Sequence, residues 1–288
     1  MKLALGTAQF GQAYGIASPQ PQIEYMESKA IVEYAAGQGM TMLDTAMGYG
    51  DSEARLGKIG LIEWQVITKL PEVPTGVNAI QSITNSVKSS LLKLKINSLY
   101  GLLLHRPDQL LGHQGPEIYS ALHRLKAEGL VKKIGVSIYQ PSELVDVFSV
   151  GHFDLVQAPL SVFDRRLITS GWLDRLAYRG VEIHARSVFL QGLLLMSNEQ
   201  RPRKFDRWCG LWDRYNTWIE DSGLSPLEAC LAYVSAIPEV QQVVVGVNSL
   251  SHIKEILQAR LADVPVWSES LATDDVELLN PLAWLKLS

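Results

Sequence analysis

The chain has 288 residues and a formal net charge of −4, and 47% of its residues are hydrophobic. These values fit one large globular domain, and they exclude the strongly basic surface that is typical of nucleic-acid binding. No apolar run reaches the roughly 18 residues of a membrane span, so we expect no membrane partner. Cys209 and Cys230 are too few for a disulfide framework, and we therefore expect a cytoplasmic protein.

Eight strand-like runs follow one another along the chain, separated by stretches with helical spacing. The first run begins the chain as a strand and does not resemble a secretory signal. Apolar residues within 80–94 recur at three- and four-residue steps, which places them on one face of a helix. The runs are residues 2–6, 40–45, 65–70, 98–105, 132–137, 154–159, 181–187 and 241–247.

This alternation predicts a parallel sheet, because a parallel connection between strands needs a crossover. Eight such strands predict a single-domain (β/α)8 TIM barrel over residues 1–288. An open, doubly wound sheet is the rival fold, but the G-x-G-x-x-G phosphate loop that it needs after the first strand is missing.

Two stretches exceed a minimal barrel, at about 192–222 and 270–288. The first is a long excursion in which Trp208, Trp212 and Tyr215 share a helical spacing. This spacing favours packing over the barrel, with a wall that contacts substrate as the alternative. The second is predicted to be a short helix followed by a C-terminal cap.

Four polar residues lie at or just beyond the ends of three successive strand-like runs. Asp44 ends "GMTMLD" and Tyr49 follows it, while Lys69 lies near the end of "WQVITKL" and His105 ends "NSLYGLLLH". Each residue alone has an ordinary structural explanation, such as a cap, a packed ring or a solvated strand end. Because side chains at the C-terminal ends of barrel strands are typical of chemistry, their coincidence favours an active site.

The four residue types match the needs of carbonyl reduction. A carbonyl that accepts a hydride becomes an alkoxide, so a nearby donor must supply a proton, and Tyr49 is the candidate. An ammonium lowers the pKa of a neighbouring phenol from its ordinary value of about 10, and Lys69 would supply that charge. Asp44 would hold Lys69 in place, and His105 would orient the carbonyl. This chemistry needs no metal, and we expect none.

These motifs resemble those of the aldo-keto reductase family. "GMTMLDTAMGYGDSEARLG" is similar to the family's signature around its Asp and Tyr, "VITKL" to its Lys strand and "LLLHRPD" to its His strand. The resemblance implies a barrel that binds NADP or NAD in extended form and transfers a hydride to a small aldehyde, ketone or sugar-derived carbonyl. It implies that Asp44, Tyr49, Lys69 and His105 form the catalytic tetrad, with Tyr49 as the proton donor.

The resemblance also implies residues that hold the nicotinamide end of the cofactor. Gly6 and Thr7 match the first strand-end turn, Asp44 lies near the ribose, and Ser137 and Gln157 match residues that bind the carboxamide.

Residues 185–195 resemble the segment that stacks under the nicotinamide and wraps the pyrophosphate, with Ser187, Gln191 and Gly192 as the matching positions. Arg186 replaces the stacking aromatic residue. Its planar guanidinium would stack, reach a phosphate or bind an anionic substrate.

Residues 243–257 resemble the last strand and the helix whose N-terminus holds the adenosine ribose and its 2′-phosphate. Asn248 and His252 stand there in place of a stronger basic clamp, so we expect NADP or NAD, with NADPH slightly favoured. A helix cap is an equal alternative for Asn248.

Four residues near predicted strand ends are candidates for the substrate pocket: Gln9, Phe10, Met47 and Tyr139. They would make the pocket partly apolar, with hydrogen bonds suited to a hydroxylated or sugar-derived substrate. Packing alone would equally explain them.

Two other functions stay open at this stage. The first is a cofactor-binding regulatory subunit with little turnover, as in the potassium-channel β subunits of the same family. The second is an aldolase-like enzyme that uses Lys69 as a Schiff base. The complete set of four polar residues favours the reductase, acting on a small molecule as a monomer or small homo-oligomer.

Overall fold

Eight parallel strands hydrogen-bond in chain order and close into a barrel, with β8 paired to β1. The computed structural model describes residues 2–15, 21–260, 262, 266 and 268–287, so the predicted ends Met1 and Ser288 lie outside the described residues. The (β/α)8 barrel predicted from the sequence is confirmed. The strands are β1 (Leu3–Gly6), β2 (Met42–Asp44), β3 (Gln65–Leu70), β4 (Leu99–Leu104), β5 (Val131–Ser137), β6 (Leu155–Pro159), β7 (Glu182–Arg186) and β8 (Gln242–Gly246).

Helices connect the strands and cover the barrel. The α-helices are α1 (Ala8–Gly11), α2 (Tyr25–Gly37), α3 (Ser52–Ile59), α4 (Ala79–Leu94), α5 (Gly115–Ala127), α6 (Glu143–Val150), α7 (Arg166–Thr169), α8 (Trp172–Tyr178), α9 (Cys209–Ser222), α10 (Pro226–Ser235), α11 (Leu250–Ala259) and α12 (Val276–Leu279). Short 3₁₀ helices span Pro107–Leu111, Leu190–Leu195, Arg203–Trp208, Glu269–Leu271 and Pro281–Lys286. None of the helices in the described ranges combines the length and apolar character needed to cross a bilayer.

Local sequence explains where individual helices begin and which face they bury. Asn78 caps α4 by accepting a hydrogen bond from the Gln81 backbone N–H, and Ile83 and Val87 are fully buried on its inner face. Ser225 and Glu228 form a reciprocal capping box at the start of α10. Capping satisfies backbone N–H groups that have no partner within the helix.

A layer of apolar side chains fills the middle of the barrel. It consists of Ala4, Met42, Ile67, Leu103 and Leu155. The polar residues at the C-terminal strand ends therefore lie above a closed hydrophobic floor, in a mouth that opens on one side only.

The excursion after β7 and the C-terminal segment pack against each other. Trp212 and Tyr215 of α9 are buried, and Trp208 donates from Nε1 to Asp275 Oδ2 at 2.8 Å. Trp284 is fully buried, and its ring centroid lies 5.0 Å from that of Phe205. The aromatic residues of this region thus serve packing.

Candidate active site

A buried ion pair lies at the base of the mouth. Lys69 Nζ donates to Asp44 Oδ1 at 2.5 Å and to the Thr45 carbonyl at 3.1 Å. Lys69 and Asp44 are only 2% and 4% exposed. Burial by itself lowers the pKa of Lys69, but the Asp44 carboxylate and the Tyr49 hydroxyl outweigh it and hold the pKa above its ordinary value. Lys69 is therefore an ammonium at neutral pH.

Tyr49 and His105 stand beside this ion pair. Lys69 Nζ lies 5.1 Å from the centroid of the Tyr49 ring, and the Tyr49 and His105 rings meet edge-on with centroids 6.2 Å apart. Burial, together with the positive charges of Lys69 and Arg186, lowers the pKa of His105 to about 4. Neutral His105 can donate one hydrogen bond from its ring. The structure brings all four predicted residues together from the ends of β2, β3 and β4.

Asp44 is held from several directions. Gln157 Nε2 donates to Asp44 Oδ2 at 2.8 Å from the opposite side of the barrel. Thr7 is fully buried, and its hydroxyl donates to the Asp44 carbonyl at 3.1 Å. Ser137 is the register partner of Gln157 and is also buried. Thr7 and Gln157 thus position Asp44, a role that the sequence did not indicate.

Arg186 extends from the end of β7 towards the loop after β5. Its Nη2 donates to the Ile138 carbonyl at 2.8 Å and its Nη1 to Ser187 Oγ at 3.0 Å. The guanidinium carbon lies 4.6 Å from the centroid of the Tyr139 ring. These contacts place the charge on the β5 side of the mouth.

The segment after Arg186 turns sharply. Ser187, Gln191 and Gly192 have φ values of 59°, 52° and 89°. Positive φ is uncommon for residues other than glycine, so two non-glycine residues in this conformation mark an unusually shaped backbone.

Tyr14 is a site residue that the sequence analysis missed. Its hydroxyl accepts a long hydrogen bond of 3.5 Å from Gln191 Nε2. Burial raises the pKa of Tyr14 to about 12, and Tyr49 and Tyr139 contribute in the same direction. No spacing rule could identify this tyrosine, because it follows α1 in an irregular segment.

The predicted substrate pocket needs correction. Phe10 is fully buried in the hydrophobic core and exposes no surface to a substrate. The Gln9 side chain lies against Gly246, where an added Cβ would come within 2.6 Å of Gln9 Nε2. Met47 lines a cleft of about 290 Å³ with residues of α3 and α4. Of these candidates, Tyr139 is the one in contact with Arg186.

The start of α11 is the expected adenosine end. Asn248 Oδ1 is buried and has no hydrogen-bond partner in the part of the chain that the structure describes, while Ser249 Oγ caps the helix and accepts from the His252 backbone N–H at 3.2 Å. The cap is therefore Ser249, although the sequence offered Asn248. Glu27 Oε1 accepts from the Leu250 N–H at 2.6 Å, which places a carboxylate at this helix N-terminus.

No group of three or more His, Cys, Asp or Glu side chains with suitable geometry for a metal ion occurs in the described part of the chain.

The barrel and its polar mouth have counterparts among known proteins. The model of the Aldo/keto reductase family matches residues 2–270. The chain belongs to this family.

Individual curated relatives are distant. The chain is 25% identical over 188 residues to the uncharacterized oxidoreductase YqkF of Bacillus subtilis, and 26% identical over 180 residues to the oxidoreductase YdhF of Escherichia coli. Each alignment covers 62% of this chain, and they span 60% and 57% of the two relatives.

Solved structures share the fold. The holo form of the aldo-keto reductase AKR11C1 from Bacillus halodurans superposes with a TM-score of 0.74 at 21% identity, over 94% of this chain and 89% of that one. The glycerol dehydrogenase AKR11B4 from Gluconobacter oxydans gives a TM-score of 0.70 at 20% identity, over 91% and 86% of the two chains.

Proposed function

We propose that the protein is an NAD(P)H-dependent oxidoreductase that reduces an aldehyde, a ketone or a sugar-derived carbonyl to an alcohol. The observation that carries this proposal is the buried pair of Lys69 and Asp44, 2.5 Å apart, beside the Tyr49 ring, which itself meets the neutral His105 ring edge-on. An ammonium, a phenol and a neutral imidazole then converge on one point of the mouth, where a carbonyl oxygen would sit.

Each residue has a defined part in the reaction. The reduced nicotinamide supplies the hydride to the carbonyl carbon. Tyr49 gives its proton to the carbonyl oxygen as negative charge develops there, and the Lys69 ammonium stabilises the phenolate that remains. Asp44 fixes Lys69 through the 2.5 Å contact. Neutral His105 donates a hydrogen bond that orients the carbonyl.

The residues present fit an extended nucleotide. Asn248 Oδ1 is a buried acceptor without a hydrogen-bond partner among the described residues, and a ribose hydroxyl could donate to it. We propose that Gly6, Ser137 and Gln157 line the nicotinamide end of the cofactor groove. Its remaining residues are Ser187, Gln191 and Gly192 for the pyrophosphate, and Asn248 with His252 for the adenosine.

Glu27 bears on the choice between the two nucleotides. A carboxylate that already accepts from the Leu250 N–H occupies the helix N-terminus where a 2′-phosphate would bind. The Glu27 carboxylate and a 2′-phosphate at the same helix N-terminus would repel each other, whereas a carboxylate accepts hydrogen bonds from ribose hydroxyls. We therefore infer that NADH is accepted at least as well as NADPH, against the slight preference for NADPH expected from the sequence.

Calorimetric titration with NADH and NADPH tests both parts of the proposal. We expect saturable binding of NADH, and we expect Glu27→Gln to strengthen NADPH binding by about tenfold relative to NADH, because it removes one repulsive charge. Glu33→Gln, which removes an exposed carboxylate further along α2, is the matched control and should leave the ratio unchanged. Binding of neither nucleotide would refute the reductase, and an unchanged ratio in Glu27→Gln would refute the role of Glu27.

The positive charge of Lys69 disfavours formation of a Schiff base at this residue. Imine formation needs a free amine, and the pKa of Lys69 is raised by its contact with Asp44. Borohydride treatment with an aldehyde should therefore leave Lys69 unmodified. Tight nucleotide binding without turnover of any aldehyde would instead favour a regulatory subunit.

A further inference from the structure

Arg186 projects an uncompensated positive charge into the mouth. Among the described residues its guanidinium has no carboxylate within 4.0 Å, whereas Arg166 pairs with Asp164 and Arg165 with Glu269. Lys69, the other cation of the mouth, is neutralised by Asp44 at 2.5 Å. The mouth therefore carries an excess of one positive charge, which a bound anion would balance.

The position of this charge relates it to the substrate. The guanidinium donates from Nη2 to the Ile138 carbonyl, just after β5, and lies over Tyr139. Strand β5 pairs with β4, and His105 directly follows β4. Its Nη1 contacts Ser187 Oγ, at the start of the turn proposed to bind the pyrophosphate. Arg186 therefore borders the proposed nucleotide groove on one side and the residues proposed to bind the carbonyl on the other.

The guanidinium is held rigidly but retains free donors. Arginine has five N–H groups in a planar fork, and only two of them are used by the Ile138 carbonyl and Ser187 Oγ. The Tyr139 ring supports one face of the fork at 4.6 Å. Such a fixed fork is suited to a carboxylate or a phosphate, because the anion loses its freedom against a partner that is already ordered.

Two phenols lie near Arg186. Tyr139 contacts the Arg186 guanidinium directly, and Tyr14 interacts electrostatically with both Arg186 and Tyr49. The charge of Arg186 also contributes to the lowered pKa of His105. The charge of Arg186 is therefore felt by residues of the proposed reaction site.

We propose that Arg186 recognises an anionic group on the substrate, so that the enzyme prefers carbonyl compounds that carry a carboxylate or a phosphate. The proposal rests on the proposed carbonyl-reductase function and specifies its substrate class. The carbonyl oxygen binds between Tyr49 and His105, while the anionic group binds the Arg186 fork.

Matched substrates with and without the anion test this preference. The carboxylate pair is succinic semialdehyde and its methyl ester, and the phosphate pair is glyceraldehyde phosphate and glyceraldehyde. We expect the wild-type protein, with saturating NADH, to show a kcat/KM about tenfold or more higher for the anionic member of at least one pair, mainly through KM. The pair that shows the larger preference identifies the anion.

Substitutions at Arg186 then assign the preference to this side chain. Arg186→Gln should reduce the ratio of the two kcat/KM values by about tenfold, and Arg186→Lys should retain part of it, because lysine keeps the charge but lacks the fork. Arg106→Gln is the matched control: Arg106 follows His105, but it is exposed and pairs with Asp108 at 3.1 Å. This control removes the same charge near the mouth and should preserve the ratio. Thermal unfolding establishes that each variant is folded.

The possible failures are distinguishable. Equal kcat/KM values within both pairs, or an Arg186→Gln variant that keeps the wild-type ratio, would overturn the role of Arg186 and leave the reductase intact. A variant that keeps the ratio but binds NADH more weakly would assign Arg186 to the cofactor instead. No turnover of any of the four aldehydes by a protein that binds NADH would overturn the proposed function and this inference with it.

Discussion

The two ends of the barrel each carry a polar cluster of one lysine, one tyrosine, one histidine and one carboxylate. At the C-terminal end are Lys69, Asp44, Tyr49 and His105. At the N-terminal end are Lys133, Glu182, Tyr100 and His184, which lie at or near the beginnings of β4, β5 and β7. Composition alone therefore does not distinguish them.

The clusters differ in how their hydrogen-bonding groups are used. Glu182 accepts from Tyr100 at 2.8 Å, contacts His184 Nε2 at 2.6 Å and forms an ion pair with Lys133. Although burial opposes ionisation, these contacts hold the pKa of Glu182 down to about 2. Every member of this cluster is bound to the same carboxylate.

The cluster at the C-terminal end uses fewer of its hydrogen-bonding groups. Asp44 is fully engaged by Lys69 and Gln157, but no hydrogen bond from a described residue occupies the His105 ring, and Tyr49 faces its neighbours edge-on. At the N-terminal end the Glu182 carboxylate binds the other three side chains, although the buried His184 Nδ1 has no hydrogen-bond partner among the described residues. At the C-terminal end the Tyr49 and His105 rings are not bound to Asp44, and groups left available within a rigid frame can act on a ligand.

Replacing the two tyrosines should show the largest contrast. Tyr49→Phe should lower kcat by about a thousandfold while NADH binding persists, because the proton donor is lost. Tyr100→Phe removes one hydrogen bond to Glu182 and should lower the free energy of unfolding by about 1–2 kcal/mol, with kcat nearly unchanged. Steady-state kinetics and urea unfolding measure both effects. Wild-type turnover in Tyr49→Phe would remove this residue from the mechanism.

The two lysines provide a second comparison. Lys69→Met should lower kcat by about a hundredfold or more at neutral pH, since the phenolate loses its ammonium partner. Lys133→Met should instead cost about 2–3 kcal/mol of stability, because Glu182 loses a charged hydrogen-bond donor. The same two assays apply. Loss of activity in a folded Lys133→Met variant would contradict the assignment of catalysis to the C-terminal end and of stability to the N-terminal end.

Acid titration should distinguish the two clusters by the pH range in which each loses its contribution to the free energy of unfolding. Both His105 and Glu182 have lowered pKa values in the folded protein, so each contributes stability above its unfolded pKa that is lost as the pH falls. For His105 the loss spans pH 6.5 to about 4, and for Glu182 it spans pH 4.5 to about 2. His105→Gln and Glu182→Gln should each flatten the curve of unfolding free energy against pH in its own window. If His105→Gln flattened the curve only in the pH range given for Glu182, or Glu182→Gln only in that given for His105, the result would contradict the structure.

Local sequence patterns sufficed for the barrel. Each strand is a buried run bounded by helical spacing, and burial in a parallel sheet makes such runs nearly continuous in apolar residues. The four polar residues could be singled out because they interrupt those runs at their C-terminal ends. The fold could therefore be predicted almost entirely.

Contacts between distant segments could not be predicted in the same way. The bond from Leu250 to Glu27 joins residues 223 positions apart, and that from Gln157 to Asp44 joins residues 113 apart. Phe10 was misplaced, and Tyr14 was overlooked, because α1 has only four residues and Tyr14 lies in the irregular segment after it, so neither stretch is long enough to show a periodic pattern. The direction of a side chain there depends on packing that no periodicity encodes.

The joint between the excursion and the C-terminal segment has a consequence for biosynthesis. Phe205 packs against Trp284, and Trp208 donates to Asp275, so these aromatic residues obtain part of their cover from the C-terminal segment. Strand β8 ends at Gly246, so its pairing with β1 does not involve the residues that provide this cover. Premature termination after residue 270 would thus yield a formed barrel with exposed aromatic side chains, a natural target for chaperones and proteases.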